Sequence, residues 1–219
     1  MNLDKKKLKK AMVRSQHCQR NWDLSKKIPE EDLEILKDSV TQAPSLQNVA
    51  FYKIHFIQDR NIIEKVHECT HGAPYKVIDN KKIVDPHPRI EDANHNMGDA
   101  TQSQTLANLV VVFEDYYKVE DYFEEKRIYD TPKDFDQNVA LGIASGYLTL
   151  TANMLGYSTG CCISIDHTKM KETLKLEKKP LLVMGVGFKQ NGLNRRVHQI
   201  DADIVYPTNP RQQVPIVEY

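Results

Sequence analysis

Four segments of the 219-residue chain hold residue types that could do chemistry. The first is Gln16-His17-Cys18-Gln19-Arg20-Asn21-Trp22. The second is Ala43-Pro44-Ser45-Leu46-Gln47-Asn48. The third is Leu155-Gly156-Tyr157-Ser158-Thr159-Gly160-Cys161-Cys162. The fourth is Met184-Gly185-Val186-Gly187-Phe188 followed by Asn194-Arg195-Arg196. Arginine presents a planar fork of donors that suits a phosphate. Asn, Gln and Ser supply both donors and acceptors. Singly, each segment has an ordinary structural reading. Arg20 reads as a surface charge and Arg195-Arg196 as a solvated pair. Ala-Pro-Ser stops a helix, because the residue before proline avoids the helical region. Leu-Gly-Tyr is a helix C-cap with Gly156 left-handed.

Several familiar sites are excluded by spacing. Gly185-Val-Gly187 is followed by Gly192, too late for a dinucleotide-binding G-x-G-x-x-G, and there is no Walker A loop. Gly142-Ile-Ala-Ser145-Gly146 places its serine one position late for a nucleophile elbow. His67-x-Cys69-x-His71 offers metal-ligand types without a fourth ligand at fixed spacing, so an ordinary helix end is preferred. Cys161 and Cys162 are adjacent, which strains a disulfide between them, and small apolar packing is the better reading.

The elements that must position these residues follow from periodicity. Residues 3–18 read as a short amphipathic helix with a basic face. A second helix opens with Pro29 at its first position and Glu30, Glu31 and Asp32 on the positive end of its dipole. It presents Leu33, Ile35, Leu36 and Val40 and ends at Ala43-Pro44. Residues 50–57 read as a strand with Tyr52, Ile54 and Phe56 on one face. Residues 59–69 read as a helix with Ile62, Ile63 and Val66 inward. Residues 71–99 are a long excursion of the kind used for binding loops or lids, with 116–129 as a second candidate cover. The excursion holds a possible Asp79-Asn80 hairpin. Residues 109–113 read as a buried strand and 137–155 as the most apolar helix, central because its apolar residues cover more than one stripe. Strands are expected at 161–165 and 181–188, with a short helix at 168–174. The order gives an α+β (α/β-like) sandwich with a central mixed sheet flanked by helices. The tail from 199 carries Ile204, Val205, Tyr206, Val214, Ile216, Val217 and Tyr219 between prolines, apolar surface that should pack on the body or on a second subunit.

The order and spacing of these segments resemble the nitroreductase family of FMN-dependent oxidoreductases, from about residue 10 to 197. The most specific parts are the helix ending in Ala-Pro-Ser-x-x-Asn before a strand and the long helix ending in Leu-Gly-Tyr. The resemblance implies a homodimer with FMN at the subunit interface. It implies hydride taken from NADH or NADPH and passed to a nitroaromatic, a quinone or a similar acceptor. Arg20 before Trp22 matches the last basic position of the family's early motif and His17 an earlier one, with Cys18 between them and Gln16 where an arginine often stands. Pro44, Ser45, Leu46 and Asn48 match the turn that reaches the flavin from the partner subunit. Gln102 and Gln104 resemble an Asn-x-Gln near the ring. Gly160, Cys161 and Cys162 fall where backbone passes the ring. Arg195 and Arg196 fall at the phosphate, which Arg20 is expected to share. The domain boundaries implied are 1–198 for the flavin-binding body and 199–219 for the tail. Two alternatives stand beside this: the same fold doing reductive dehalogenation, dehydrogenation or flavin breakdown, and a flavin-binding or interaction protein without turnover.

Composition sets the outer bounds. Lys plus Arg and Asp plus Glu are 30 each, so the formal charge is zero, which argues against a chain whose main work is coating nucleic acid. The mean hydropathy is −0.55. No apolar run approaches the roughly 20 residues of a membrane helix. The amino-terminal residues lack the apolar stretch of a signal peptide. Four cysteines without framework spacing suggest a reducing, cytoplasmic setting. No metal is implied.

Overall fold

One central strand, buried on both faces, arranges everything else. The computed structural model describes residues 4–72, 75–84, 102–116, 134–207 and 211–218. The chain order is α1 (Lys5–Ser15), α2 (Glu30–Thr41), β1 (Tyr52–Ile57), α3 (Arg60–His67), β2 (Tyr75–Ile78), β3 (Lys81–Val84), β4 (Leu109–Asp115), α4 (Phe135–Leu155), β5 (Ser158–Cys162), α5 (His167–Leu174), β6 (Pro180–Gly187) and β7 (Ile204–Val205). A four-stranded sheet runs β1-β4-β6-β5. On β4, Leu109, Val111 and Phe113 face α2 and α4 and pack with Leu33, Leu36, Val40, Ala144, Leu148 and Ala152. Val110 and Val112 face the other way, onto Ile63 and Val66 of α3 and Met170 of α5. Because side chains alternate across a pleated strand, a run apolar at every position is a strand covered on both faces.

The main sheet is antiparallel throughout, not mixed. Strand β4, the crossover helix α4 and β5 form a unit whose two strands run the same way. They do not touch, because β6 lies between them and runs against both. Parallel pairing is confined to a small second sheet, β2-β3-β7, where β7 adds alongside β3. Its hairpin turns at Asp79 and Asn80, both left-handed (φ 50° and 61°), the conformation that a two-residue hairpin needs and that Asp and Asn tolerate.

Most elements fall where their patterns place them, with shifts at the ends. Asp59 and Asp166 cap α3 and α5, their carboxylates accepting from Ile62 and Lys169 backbone N–H groups. Pro29 is the residue before α2, not its first helical residue, and Ile35 lies outside the buried stripe, 41% exposed. The last strand before α5 is Ser158–Cys162 rather than 161–165. Helix α4 buries a single stripe: Gln137, Ala140, Ala144, Leu148 and Ala152. Val139 and Tyr147 on its other side are 45% and 48% exposed. It is a helix of one outer layer with an apolar outer face. Residues 85–99 of the expected lid, and 117–129 of the second candidate cover, lie outside the described residues. No helix among the described residues is long and apolar enough to cross a membrane.

The glycines of β6 have a packing role. A Cβ on Gly185 would sit 1.9 Å from the carbonyl oxygen of Gln104, and one on Gly187 would sit 2.1 Å from the Asn108 side-chain oxygen. The turn formed by Ser103–Leu106 therefore lies directly on the strand. Gly185→Ala should destabilise the fold by about 1–3 kcal/mol through overpacking. Gly142→Ala, at an α4 position with no atom within 4 Å of the added methyl, should instead gain up to about 1 kcal/mol. Urea unfolding of the two variants checks both signs.

Candidate functional site

The first segment, residues 18–23, is an extended piece laid along the end of the sheet. Gln19 N–H donates to Thr159 O (2.9 Å) and Asp23 N–H to Phe188 O (2.8 Å). Arg20 is tied on both sides: its N–H donates to Arg195 O (3.0 Å), and its carbonyl accepts from the Ser103 hydroxyl (2.7 Å). Asn21, fully buried, donates to Asn194 O and Val197 O. Trp22, equally buried, donates its indole N–H to Ser103 O. These bonds lock 18–22 to both 102–105 and 194–197, which brings segments distant in sequence to one place.

The side chains assembled there are cationic and amide. The Arg20 guanidinium donates through Nη1 to Gln104 Oε1 and to Gln102 Oε1 (3.2 Å). Gln104 Nε2 in turn donates to Cys161 O (3.2 Å). Arg195 Nη1 donates to Cys18 O (3.2 Å), and Arg196 Nη1 to Tyr206 O (3.2 Å). Partial burial and the charge of Arg195 push the His17 pKa down. Among the described residues, no Asp or Glu forms an ion pair with Arg20, Arg195 or Arg196. Three half-buried arginines with only neutral partners leave an unneutralised positive potential, a place for an anion.

Gly160 lets this happen. It pairs with Gly185 across β5 and β6, and a Cβ on it would sit 2.5 Å from the Gln104 Cβ and 2.9 Å from Gln19 O. Burial raises the Cys18 pKa and pushes the Cys162 thiol up to about 12. The cysteines are free, and no cluster among the described residues could hold a metal.

His17, Cys18, Arg20, Gln102, Gln104, Gly160, Cys161, Cys162, Arg195 and Arg196 thus come together. Pro44, Ser45, Leu46 and Asn48 do not join them. Their turn precedes β1, and β1 and β5 are opposite edges of the sheet, three spacings or roughly 14 Å apart. Along the strands, Gly160 is level with Gly185, Val110 and Ile57. The turn enters β1 at Tyr52, five residues or roughly 17 Å farther. There Leu46 is 45% exposed, and Gln47 and Asn48 are held left-handed. Gln16, where an arginine was expected, accepts from Arg211 Nη1 (2.8 Å).

Sequence reading missed Asn21, Ser103, His67, His198 and Tyr206 as parts of this neighbourhood. Asn21 stands between two marked residues, Arg20 and Trp22, a signal that could have found it. Ser103 stands likewise between the marked Gln102 and Gln104, and His67, His198 and Tyr206 are joined to the neighbourhood only by the fold. His67 and His198 lie with ring centroids 6.0 Å apart and are both buried. His67 meets the Thr105 hydroxyl at 3.1 Å.

The nitroreductase-family model matches residues 13–188. Among solved structures, a Staphylococcus epidermidis protein assigned as an NAD(P)H:FMN oxidoreductase aligns over 100% of this chain and 97% of its own, at 15% identity and a TM-score of 0.60. Nitroreductase A of Vibrio parahaemolyticus aligns over 98% of this chain and 79% of its own, at 16% identity and a TM-score of 0.59. An FMN-dependent nitroreductase of Clostridium difficile aligns over 83% and 88%, at 12% identity and a TM-score of 0.54. At these identities the structures show a shared fold. No curated protein matches the sequence closely enough to count as a relative.

His198 generates a pH prediction. Its Nδ1 accepts from the Ile200 and Asp201 N–H groups (3.2 and 3.1 Å), so the folded chain needs the neutral ring. Burial, then the charges of His67, Arg20 and Lys82, hold its pKa down at about 4 against the pull of Asp201. The unfolded chain takes up the proton near pH 6.5, so stability is full above that and falls as pH drops toward 4. Between pH 7.5 and pH 5 the loss should be about 2 kcal/mol. His198→Asn keeps an acceptor without a titrating proton and should flatten this slope in urea titrations.

Proposed function

The chain belongs to the nitroreductase family, whose members are FMN-dependent oxidoreductases. From that premise we propose that it takes hydride from NADH or NADPH and reduces a nitroaromatic, a quinone or a similar small acceptor. The observation that carries the reading is the convergence of Arg20, Arg195 and Arg196, with no carboxylate partner among the described residues, beside the amides of Gln102 and Gln104. That donor set fits FMN: cations for a phosphate of about −1.5 to −2 charge, and amides for the edge of a flat heterocycle. FMN, when bound, supplies the hydride chemistry, so the chain needs no nucleophile of its own.

Each side chain has a task. Arg195, Arg196 and His17 hold the phosphate. Arg20 is bonded through Gln104 to the Cys161 carbonyl, beside the β5 backbone expected to run past the ring, which favours a role at the ring over one at the phosphate. There it holds the polar edge of the ring, where its charge favours the reduced cofactor. This moves Arg20 from the phosphate to the ring.

The site is completed by a second chain. The turn with Ser45 and Asn48 lies diagonally across the sheet from the arginines, so one copy cannot bring both together, and a two-fold related copy can. The outer face of α4 and its neighbour α1 offers the surface, with Met12, Val13, Phe135, Val139 and Tyr147 between 45% and 59% exposed. On this reading the protein is a homodimer.

Five measurements test this. Purified protein should be yellow, release FMN on denaturation, and oxidise NADH or NADPH with an added quinone. A colourless protein that takes up no FMN would end the proposal. An acceptor panel then separates quinone and nitro reduction from dehalogenation. Arg195→Ala should weaken FMN roughly ten- to a hundredfold and leave riboflavin nearly unchanged, while Arg20→Ala weakens both. In solution the mass should be twice the 25.2 kDa of one chain. Gly146→Arg, whose Cβ meets nothing within the chain, should yield folded monomers that lose FMN. Monomers with full flavin occupancy would overturn the shared site.

A further inference from the structure

The segment after the arginines returns to the site as a strap. His198 N–H donates to Ile204 O, and Tyr206 N–H to Arg196 O (both 3.0 Å), so residues 196–206 form a closed loop. The Arg196 side chain holds the Tyr206 carbonyl. Gln199 grips the Trp22 backbone at both its N–H (2.5 Å) and its carbonyl (3.4 Å). Strand β7 joins β3, and Lys82 pairs with Asp201 at 2.9 Å. The strap is fixed from both sides, and it lies beyond the residues that match the family model.

Its last residue lands on Arg20. The guanidinium carbon of Arg20 sits 3.7 Å from the centroid of the buried Tyr206 ring. Both glutamine bonds of Arg20 use one nitrogen, Nη1. These two bonds hold the guanidinium at its Nη1 end only, so its far edge, with Nε and Nη2, can still tilt. A ring against its face removes that freedom and keeps the remaining N–H groups in one plane.

Resting on the flavin reading above, we propose that Tyr206 is the positioning residue for Arg20. It sets the plane in which Arg20 meets the cofactor, and through Arg20 it raises both cofactor affinity and the reduction potential. Tyr206 also packs with Val84 and Ile204, so a simple truncation confuses packing with positioning. Tyr206→Leu keeps apolar bulk there and removes the ring. Tyr206→Phe keeps the ring and removes the hydroxyl.

The experiment titrates FMN into the parent, both Tyr206 variants, Arg20→Ala and the Arg20→Ala/Tyr206→Leu double variant, and measures each reduction potential. Tyr206→Phe should bind within about twofold of the parent. Tyr206→Leu should bind about three- to thirtyfold more weakly and shift the potential negative, in the same direction as Arg20→Ala. In the Arg20→Ala background Tyr206→Leu should add nothing, because the effect passes through the arginine. Equal affinity of parent and Tyr206→Leu, equal loss in the Leu and Phe variants, or additive losses in the double variant would each overturn the proposal. A parent that binds no FMN would instead overturn the flavin reading and this proposal with it. Binding without Tyr206–Arg20 coupling overturns only the positioning role.

Discussion

Gln104 rests on two glycines that face each other across adjacent strands, and the candidate site hangs on that contact. Gly160 and Gly185 are paired in the β5–β6 ladder. Their missing side chains leave a bare patch of sheet into which the Ser103–Leu106 turn descends. A methyl on either would displace the turn, and the turn carries most of what matters. It presents Gln104 and Gln102 to Arg20. It receives the Trp22 indole and supplies the hydroxyl that fixes the Arg20 carbonyl. On its far side Arg60 donates to Leu106 O and Ala107 O. The cost of two glycines in strands, where each weakens the strand by its lost side chain and greater entropy, is offset by this single close approach.

The contact also explains what was legible in the sequence. Gly185-Val-Gly187 could be excluded as a dinucleotide loop from spacing alone, and that holds. Its actual role needed the cross-strand register of β5, which no local pattern encodes. Strand β4 and helix α3 were legible because burial on two faces or on one stripe writes itself into periodicity, although Ile62, expected inward on α3, is 40% exposed and His67 is buried in the stripe instead. Strand β5 was placed three residues late because Ser158, Thr159 and Gly160 lack the apolar alternation of a strand. Gly160 is bare for the sake of the turn above it. Helix α4 misled in the other direction: its residues are apolar on more than one side, yet only one side is buried within the chain. Tyr206 was hidden by the prolines around it, and nothing in the sequence says that a tail residue returns to residue 20.

The exposed side of α4 and the diagonal split of the site bear on one another. An outer helix with open glycines and 40–50% exposed aromatic and β-branched residues is poor design for a surface meant for water. A turn held left-handed at Gln47 and Asn48, with Leu46 exposed at its start, is strain without a purpose inside one chain. Both acquire a purpose if a second copy covers the helix and takes the turn.

The charge balance of the site follows from burial beneath it. Arginines gathered without carboxylates repel one another, and among the described residues the chain forms no ion pair there to relieve this. It limits the repulsion by keeping the neighbouring titratable groups neutral. His198 and the neighbouring His67 are pushed by burial toward the uncharged ring, and the Cys18 and Cys162 thiols are held protonated for the same reason. A carboxylate placed there would stabilise the empty protein and compete with any anionic ligand. A neutral floor of histidine, thiol and amide leaves the arginine charge uncompensated, so an incoming anion gains that energy on binding. The same floor accounts for the absence of an acid–base pair among these residues. Groups held neutral on purpose are of little use for moving protons, and a site whose chemistry resides in a bound cofactor does not need them to.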